Sequence, residues 1–297
     1  MFHSLVKPEK KRQLLRLRLK ETRPLVLFGA YNALTAMMIQ RNGGEGVYVS
    51  GHMLAADLGL PDLGLTSITE VASRSGHIAG MVDVPTIVDA DTGFGEPLNL
   101  ARTVQTLENA GLAACHIEDQ VNPKQCGHSA GIQVVDRVTA LRRVAAAVNA
   151  RRDSSFVVIA RTDARAAVSL EEAIVRGKAY KDAGADVIFA EALRGPAEYE
   201  RFKTEVDAPF MVNLNEFAST IPLTRQELVD LGVNIAVYPM TLMRLALGAV
   251  ELGIASIIRE GTQAPLIGQM QTKDELYDYL RYGEYQAFDD QVFEAGA

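Results

Sequence analysis

Eight short runs of apolar, often β-branched residues punctuate the chain: Leu25–Phe28, Gly46–Val49, Thr86–Val88, Ala113–Ile117, Phe156–Ala160, Val187–Ala190, Phe210–Val212 and Ile235–Val237. Between them lie stretches rich in Ala, Leu, Arg and Glu, such as Leu98–Ala110, Leu170–Ala183 and Arg225–Leu231. Several of these stop at a glycine just before the next run (Gly111, Gly184, Gly232), which is how a helix commonly closes. Strands that alternate with helices form a parallel sheet. Eight such units in 297 residues predict an α/β fold, a closed (β/α)8 barrel forming one domain over residues 1–297, with an N-terminal helix and a C-terminal helical tail. An open doubly wound sheet is the competitor. It usually carries a Gly-rich phosphate loop after its first strand, and no G-x-G-x-x-G occurs here.

Composition narrows the function classes. A 48% hydrophobic content supplies a large core, and a net charge of −7 disfavours nucleic acid as a partner. Two cysteines make no disulfide framework, and Cys115, inside a strand, reads as a buried hydrophobe. The first 23 residues carry eight Lys/Arg and no apolar signal core. Leu14, Leu15, Leu17 and Leu19 make that segment an amphipathic starting helix rather than a basic arm or a transit peptide. The most apolar stretch, Val233–Ile258, is interrupted by Arg244 and Glu251, so no membrane span is expected. These points lead to the expectation of a reducing, cytoplasmic setting.

The polar residues fall just past the strands: Tyr31 and Asn32, Ser50 and Gly51, Asp89 and Asp91, Glu118 and Asp119, Arg161 and Asp163, Glu191, Asn213 and Asn215, Tyr238 and Pro239. One such residue is often a helix cap, as Asp91 or Asp163 could be. A whole set converging on one mouth is what barrel enzymes build. Asp89, Asp91 and Glu118 are hard oxygen ligands suited to Mg²⁺, or alternatively Mn²⁺, acting as a Lewis acid on an α-keto or α-hydroxy carboxylate. Gly93 and Gly95 allow close backbone approach or simply a turn. Arg161 suits a bidentate carboxylate contact. Ser50, Gly51, Asn213 and Asn215 supply hydrogen bonds for a substrate. In His116–His128, HIEDQVNPKQCGH, the thiol of Cys126 lies between Lys124 and His128 on a loop held by Pro123 and Gly127. That spacing predicts an electropositive setting and a general acid that protonates a carbanion. His77 reads as a surface helix residue, His116 as a satisfied core histidine, and His52 carries little weight.

KQCGH resembles the K-[KR]-C-G-H signature of the isocitrate lyase and phosphoenolpyruvate mutase superfamily. The runs YVSG, LGLPDLG, VDADTGFG, ARTVQTLENAGLAACHIEDQ, ARTDA, FAEAL, YPMTLMRLA and the tail EGTQ…MQTKDELYDYLRYGEY resemble it too. The resemblance implies a barrel whose last helix swaps between subunits of a homotetramer. It implies Mg²⁺ held by Asp89, with Asp91, Asp62 and Glu118 acting mostly through water. It implies retro-aldol (Claisen-like) carbon–carbon cleavage of a 2-hydroxy acid, on the branch that splits 2-methylisocitrate into pyruvate and succinate, the closing reaction of propionate breakdown. By similarity, Ser50, Gly51, Asp89, Lys124, Cys126, Gly127, His128, Arg161, Glu191 and Asn213 line the site. Cys126 would protonate the succinate carbanion, and Tyr48, near Arg161, would handle the hydroxyl proton.

Three positions depart from that branch. His52 follows Ser50-Gly51 where glycine is common, Gln125 replaces a Lys or Arg, and Ser129-Ala130-Gly131 replaces Arg-Pro-Asn-Lys. The last resembles relatives acting on smaller substituted malates, such as 2,3-dimethylmalate lyase, or on oxaloacetate. One lost charge-assisted contact costs about 1.5–3 kcal/mol, enough to change a substrate preference. Pro239, where oxaloacetate hydrolases tend to have serine, argues against that hydrolysis. A phosphonate mutase lacks the cysteine motif. A non-catalytic barrel would have lost one of Asp89, Glu118, Cys126 or Arg161.

Overall fold

All eight predicted runs fold as strands: β1 (Leu25–Gly29), β2 (Val47–Val49), β3 (Thr86–Asp89), β4 (Ala114–Glu118), β5 (Val157–Thr162), β6 (Val187–Ala190), β7 (Phe210–Asn213) and β8 (Ile235–Tyr238). The computed structural model describes residues 3–127, 129, 131–217 and 223–295. Every neighbouring pair is parallel, and β1 pairs with β8 from Leu25↔Ile235 to Phe28↔Tyr238, which closes the (β/α)8 barrel. Closure removes both sheet edges and buries both faces. For that reason the strands are almost continuously apolar rather than alternating.

Strand period still decides which way each side chain points. Leu25, Leu27, Tyr48, Ile87, Ala114, Val157, Ile159, Val187, Phe189, Met211, Ile235 and Val237 form one buried cluster that fills the barrel. The intervening residues, among them Val49, Val88, Cys115, Ile117 and Val158, pack outward in a second cluster with helix residues such as Leu100, Val104 and Leu107. Counting by twos up the inward set leads to Ser50, Asp89, His116, Glu118, Arg161, Glu191 and Asn213. Several strands run one or two residues further than their apolar runs suggest. Asp89, Glu118, Arg161 and Asn213 are therefore paired strand residues, with Glu118 in register with Arg161.

The starting helix, Pro8–Arg18, plugs the opposite end with Leu15. Its basic residues are structural: Arg12 Nε donates to the Leu112 carbonyl (3.0 Å), and Lys11 Nζ to that of Ala79 (2.8 Å). At the other terminus the sequence expectation needs correction. The helix Thr241–Glu260 runs unbroken through Arg244 and Glu251, with a mean hydropathy of 1.7 over its most apolar 18 residues, long and apolar enough by composition to cross a membrane. Arg244 folds back to Glu216 (2.8 Å). Leu245, Leu252 and Ile258 are 67%, 72% and 80% exposed, so this apolar face is left uncovered among the described residues. Beyond it the tail forms helices Lys273–Tyr279 and Tyr282–Ala295. The first of them lies on the chain's own Ala33–Arg41 helix, where Asp278 pairs with Arg41.

Candidate active site

The carboxyl ends of the strands open on a narrow polar cavity lined by Tyr48, Ser50, His52, Asp62, Asp89, Glu118, Lys124, Gln125, Cys126, Gly127, Arg161, Glu191, Asn213, Asn215, Pro239 and Met240. Of the expected rim residues, Asn32 caps the helix Ala33–Arg41 through the Thr35 amide (2.8 Å). Tyr31 and Tyr238 line outer grooves instead. Asp119 has the outward parity of its strand. Its carboxylate holds Thr162, Arg176 and Tyr180 (2.7, 3.1 and 2.7 Å), which ties β5 to the helix Leu170–Asp182. His128, expected beside Cys126, lies outside the described residues.

Carboxylates crowd one wall. Asp89 accepts from the amides of Gly51 (3.2 Å) and Asp91 (2.9 Å). A Cβ on Gly51 would stand 3.0 Å from Asp91 Oδ1 and 3.1 Å from Asp89 Oδ2, so only glycine lets this backbone sit on the acids. Burial opposes ionisation of Asp89, but His116, Lys124, Arg161 and the Asp91 amide outweigh it and hold the carboxyl at about 2. For Asp91, burial and the neighbouring Asp89 charge push the pKa up to about 6. Burial also raises Glu118 well above the usual carboxylate range, and its buried Oε1 has no hydrogen-bond partner among the described residues. Lys124 bridges Asp62 and Asp91, its Nζ 2.7 Å from Asp91 Oδ1. Four acids (Asp62, Asp89, Asp91, Glu118) around one lysine, with an orphaned carboxylate oxygen among them, are a hard-oxygen donor set that fits a divalent ion of the Mg²⁺ type.

The opposite wall is built on Arg161. Its Nε and Nη2 form a fork to Asp163 (2.9 and 2.8 Å), while Glu118 (3.4 Å) and Glu191 (3.5 Å) stand further off. The expected bidentate grip on a substrate is therefore already taken by Asp163, which makes no helix-capping bond. The edge bearing Nη1 is the one not in the fork. Glu191 accepts from Asn213 Nδ2 (3.2 Å), and the buried Asn213 Oδ1 has no partner among the described residues. Asn215 takes Arg244 (3.2 Å).

Two further groups complete the floor. Tyr48 Oη lies 2.7 Å from His116 Nε2, with the rings stacked 5.8 Å apart, and His116 Nε2 is 3.5 Å from Asp89. Burial lowers His116 to about 4, so the imidazole is neutral, and raises Tyr48, so the phenol keeps its proton. His116 is fully buried and does not line the cavity, which agrees with its reading as a core histidine, but it backs Tyr48, which does line it. The parity of His116 with Ala114 and Glu118 was the available signal of that placement.

The thiol's setting also differs from the expected one. The Lys124 ammonium is committed to Asp62 and Asp91, and the groups gathered at Cys126 are His52 and Asp62. The cysteine loop is stapled at its base by Gln120, whose amide exchanges bonds with the backbone of Gln125 (2.9 and 3.0 Å). Arg143 donates to the Gln120 carbonyl (2.8 Å). At its tip Gly127 lies directly on Arg161, Glu191 and Asp163.

A thiol loop over a carboxylate platform, at the carboxyl end of a parallel barrel, is the arrangement of an enzyme site, and its relatives put its class among the carbon–carbon lyases. Residues 15–258 match the family model described as phosphoenolpyruvate phosphomutase. Curated relatives named 2-methylisocitrate lyase reach 40 to 52% identity. One of them, from Corynebacterium glutamicum and named probable 2-methylisocitrate lyase 2, is 52% identical over 99% of this chain and 95% of its own. Among solved structures, an oxaloacetate acetylhydrolase bound to 3,3-difluorooxalacetate superposes with a TM-score of 0.90 at 30% identity, covering 96% of this chain and 98% of that one. A 2,3-dimethylmalate lyase gives 0.89 at 31%, covering 97% and 96%. The chain belongs to the phosphoenolpyruvate mutase and isocitrate lyase family.

Proposed function

We propose that this enzyme cleaves 2-methylisocitrate to pyruvate and succinate, with Mg²⁺ (or Mn²⁺) held by Asp89 and assisted by Asp91, Glu118 and Asp62. The observation that carries the reading is that Cys126 shares one cavity with Asp62, Asp89 and Glu118, in a chain 52% identical to a relative named probable 2-methylisocitrate lyase 2. When bound, the ion polarises the substrate's hydroxyl and carboxylate oxygens and offsets developing enolate charge. The chain's own groups do the rest. Arg161, through Nη1, and Asn213 orient carboxylates, while Ser50 and the Gly51 backbone close the pocket. The hydroxyl proton passes to the Tyr48–His116 pair, the carbon–carbon bond breaks, and the electron pair stays on the succinate α-carbon. Cys126 gives that carbon its thiol proton. The loop carrying Cys126, seated on Arg161 through Gly127, keeps water from the carbanion.

One observation favours a smaller substrate. Asp163 occupies two donors of Arg161, and Asp62 and Asp91 occupy Lys124, which leaves little uncommitted positive charge for a third carboxylate. Assay of the purified protein with Mg²⁺ against 2-methylisocitrate, isocitrate, 2,3-dimethylmalate, 2-methylmalate and oxaloacetate separates the readings. Pyruvate released from 2-methylisocitrate supports the first, and activity confined to substituted malates overturns it.

The same proposal extends to assembly and setting. The exposed apolar face of Thr241–Glu260, and a groove of about 380 Å³ lined by Phe28, Tyr31, Met38, Ile39 and Leu242, favour a homotetramer exchanging this helix over a membrane-spanning role. Light scattering after size exclusion tests it: a tetramer mass is expected, and a monomer contradicts it. A free catalytic thiol suits a reducing cytoplasm, and the negative net charge suits a partner list without nucleic acid.

A further inference from the structure

At the edge of the oxygen platform, and sharing Asp62 with it, the mouth of the cavity gathers a chemically different set of ligands. One ligand atom each from His52, Asp62 and Cys126 lies within 4.8 Å of the other two. The three come from separate segments: the start of the helix Gly51–Asp57, the turn preceding the helix Ile68–Gly80, and the cysteine loop. The His52 side chain is 38% exposed and its Nδ1 stands 3.8 Å from Asp62 Oδ2, on the side of Asp62 away from Lys124. Lys124 remains balanced by Asp91 (2.7 Å), so its charge is not left facing an incoming cation alone.

Sulfur, imidazole nitrogen and one carboxylate oxygen are the donors that select Zn²⁺-like ions, whereas Mg²⁺ prefers oxygen alone. Bonds of about 2.0–2.3 Å to a tetrahedral ion bring such ligands to within roughly 3.3–3.8 Å of each other. About 1 Å of inward movement is needed, and a half-exposed imidazole on one side and a loop on the other can supply it. We propose that His52, Asp62 and Cys126 form an inhibitory site for a borderline transition-metal cation such as Zn²⁺, with water as the fourth ligand. On binding, the Cys126 S–H bond breaks, its proton goes to solvent, and a metal–sulfur bond forms with no change of oxidation state. The loop is then tied to the helix Gly51–Asp57, and the thiol has no proton to give. Turnover stops until the metal is removed.

The binding arm of the test is independent of the proposed reaction, and only the inhibition arm rests on it. The full-length protein, saturated with Mg²⁺, is titrated with Co²⁺ while the near-ultraviolet thiolate-to-cobalt band is followed, and Zn²⁺ is then added in competition. The wild type is expected to show the band and to lose it to Zn²⁺. Cys126→Ser, a near-isosteric change, should show no band, and His52→Gln, at a half-exposed position, should weaken Co²⁺ binding by roughly tenfold or more. In parallel, Zn²⁺ should inhibit the wild type reversibly, and a zinc-selective chelator should restore activity. Absence of a thiolate band in the wild type, Zn²⁺ binding without one, or equal affinity in His52→Gln overturns the site. A band without inhibition overturns only the inhibitory role.

Discussion

Gly127→Ala is the substitution whose effect the geometry specifies most fully. A Cβ at this position would stand 2.4 Å from Arg161 Nη2, 2.6 Å from Glu191 Cγ and 2.8 Å from Asp163 Oδ1. Against the 3.4 Å of ordinary contact, the deficits are about 1.0, 0.8 and 0.6 Å. None of the three neighbours can yield easily. Arg161 is locked to Asp163 by two hydrogen bonds, and Glu191 accepts from Asn213. The loop must therefore lift by about 1 Å and carry Cys126 with it. Misplacing a reacting group by about 1 Å costs on the order of 10²-fold in rate, or about 2.7 kcal/mol of transition-state stabilisation. Because the loop rises and the barrel is not wedged apart, the folding cost should sit near the low end of overpacking, about 1 kcal/mol. Steady-state kcat and KM, with thermal unfolding alongside, measure both quantities. Gly131→Ala is the control: its φ is +82° with nothing within 4 Å, so alanine there brings strain but no collision with the site. Near-normal kcat in Gly127→Ala, or an equal loss in Gly131→Ala, would refute the reasoning.

Other expectations follow from the buried charges. Burial raises the Glu118 carboxyl well above the usual carboxylate range, and Glu118→Gln keeps the shape of that side chain. Its thermal midpoint without Mg²⁺ should match the wild type, while the rise on adding Mg²⁺, about 2.7 kcal/mol at a hundredfold excess over Kd, should shrink; an undiminished rise removes Glu118 from the platform. Asp163→Asn breaks the fork on a buried arginine and should cost about 3 kcal/mol, softened by Glu118 and Glu191 nearby; a urea-unfolding loss under 1 kcal/mol would contradict that. Burial pushes the Cys115 thiol up to about 12, against about 8.5 when unfolded. The unfolded chain therefore loses this proton first, and stability falls as pH rises between those values, by about 2–3 kcal/mol at pH 10.5. Cys115→Ala should flatten that part of the urea-unfolding profile, and an unchanged slope would refute the assignment.

Much of this was written plainly in the chain, and the failures have identifiable causes. The barrel was legible because closure buries both faces of every strand and leaves eight dense apolar runs. Asp89, Glu118, Arg161 and Asn213 were legible as polar residues at the ends of those runs, and Cys126 through its place in the KQCGH loop. Partnerships were not. Asp163 looked like a helix cap because sequence gives its position but not the arginine two residues earlier on the same inward side. Lys124 looked like a cation for the thiol, but its partner Asp62 is 62 residues away. His116 is the core residue its apolar neighbours in the chain suggested, but its contacts with Tyr48 and Asp89 come from other strands and could not be read from the sequence. The apolar stretch Val233–Ile258 was read as interrupted because Arg244 and Glu251 break its hydropathy, but charges do not interrupt a helix, and Thr241–Glu260 carries both.

The central claim is that Cys126 delivers the proton that ends carbon–carbon cleavage. Cys126→Ser leaves shape almost unchanged and replaces the thiol with a far weaker acid. Turnover of 2-methylisocitrate by this variant, with Mg²⁺ present and an unfolding midpoint equal to the wild type's, should fall by on the order of 10²–10⁴-fold, the range of a lost general acid. Turnover within a few fold of the wild type would contradict the account.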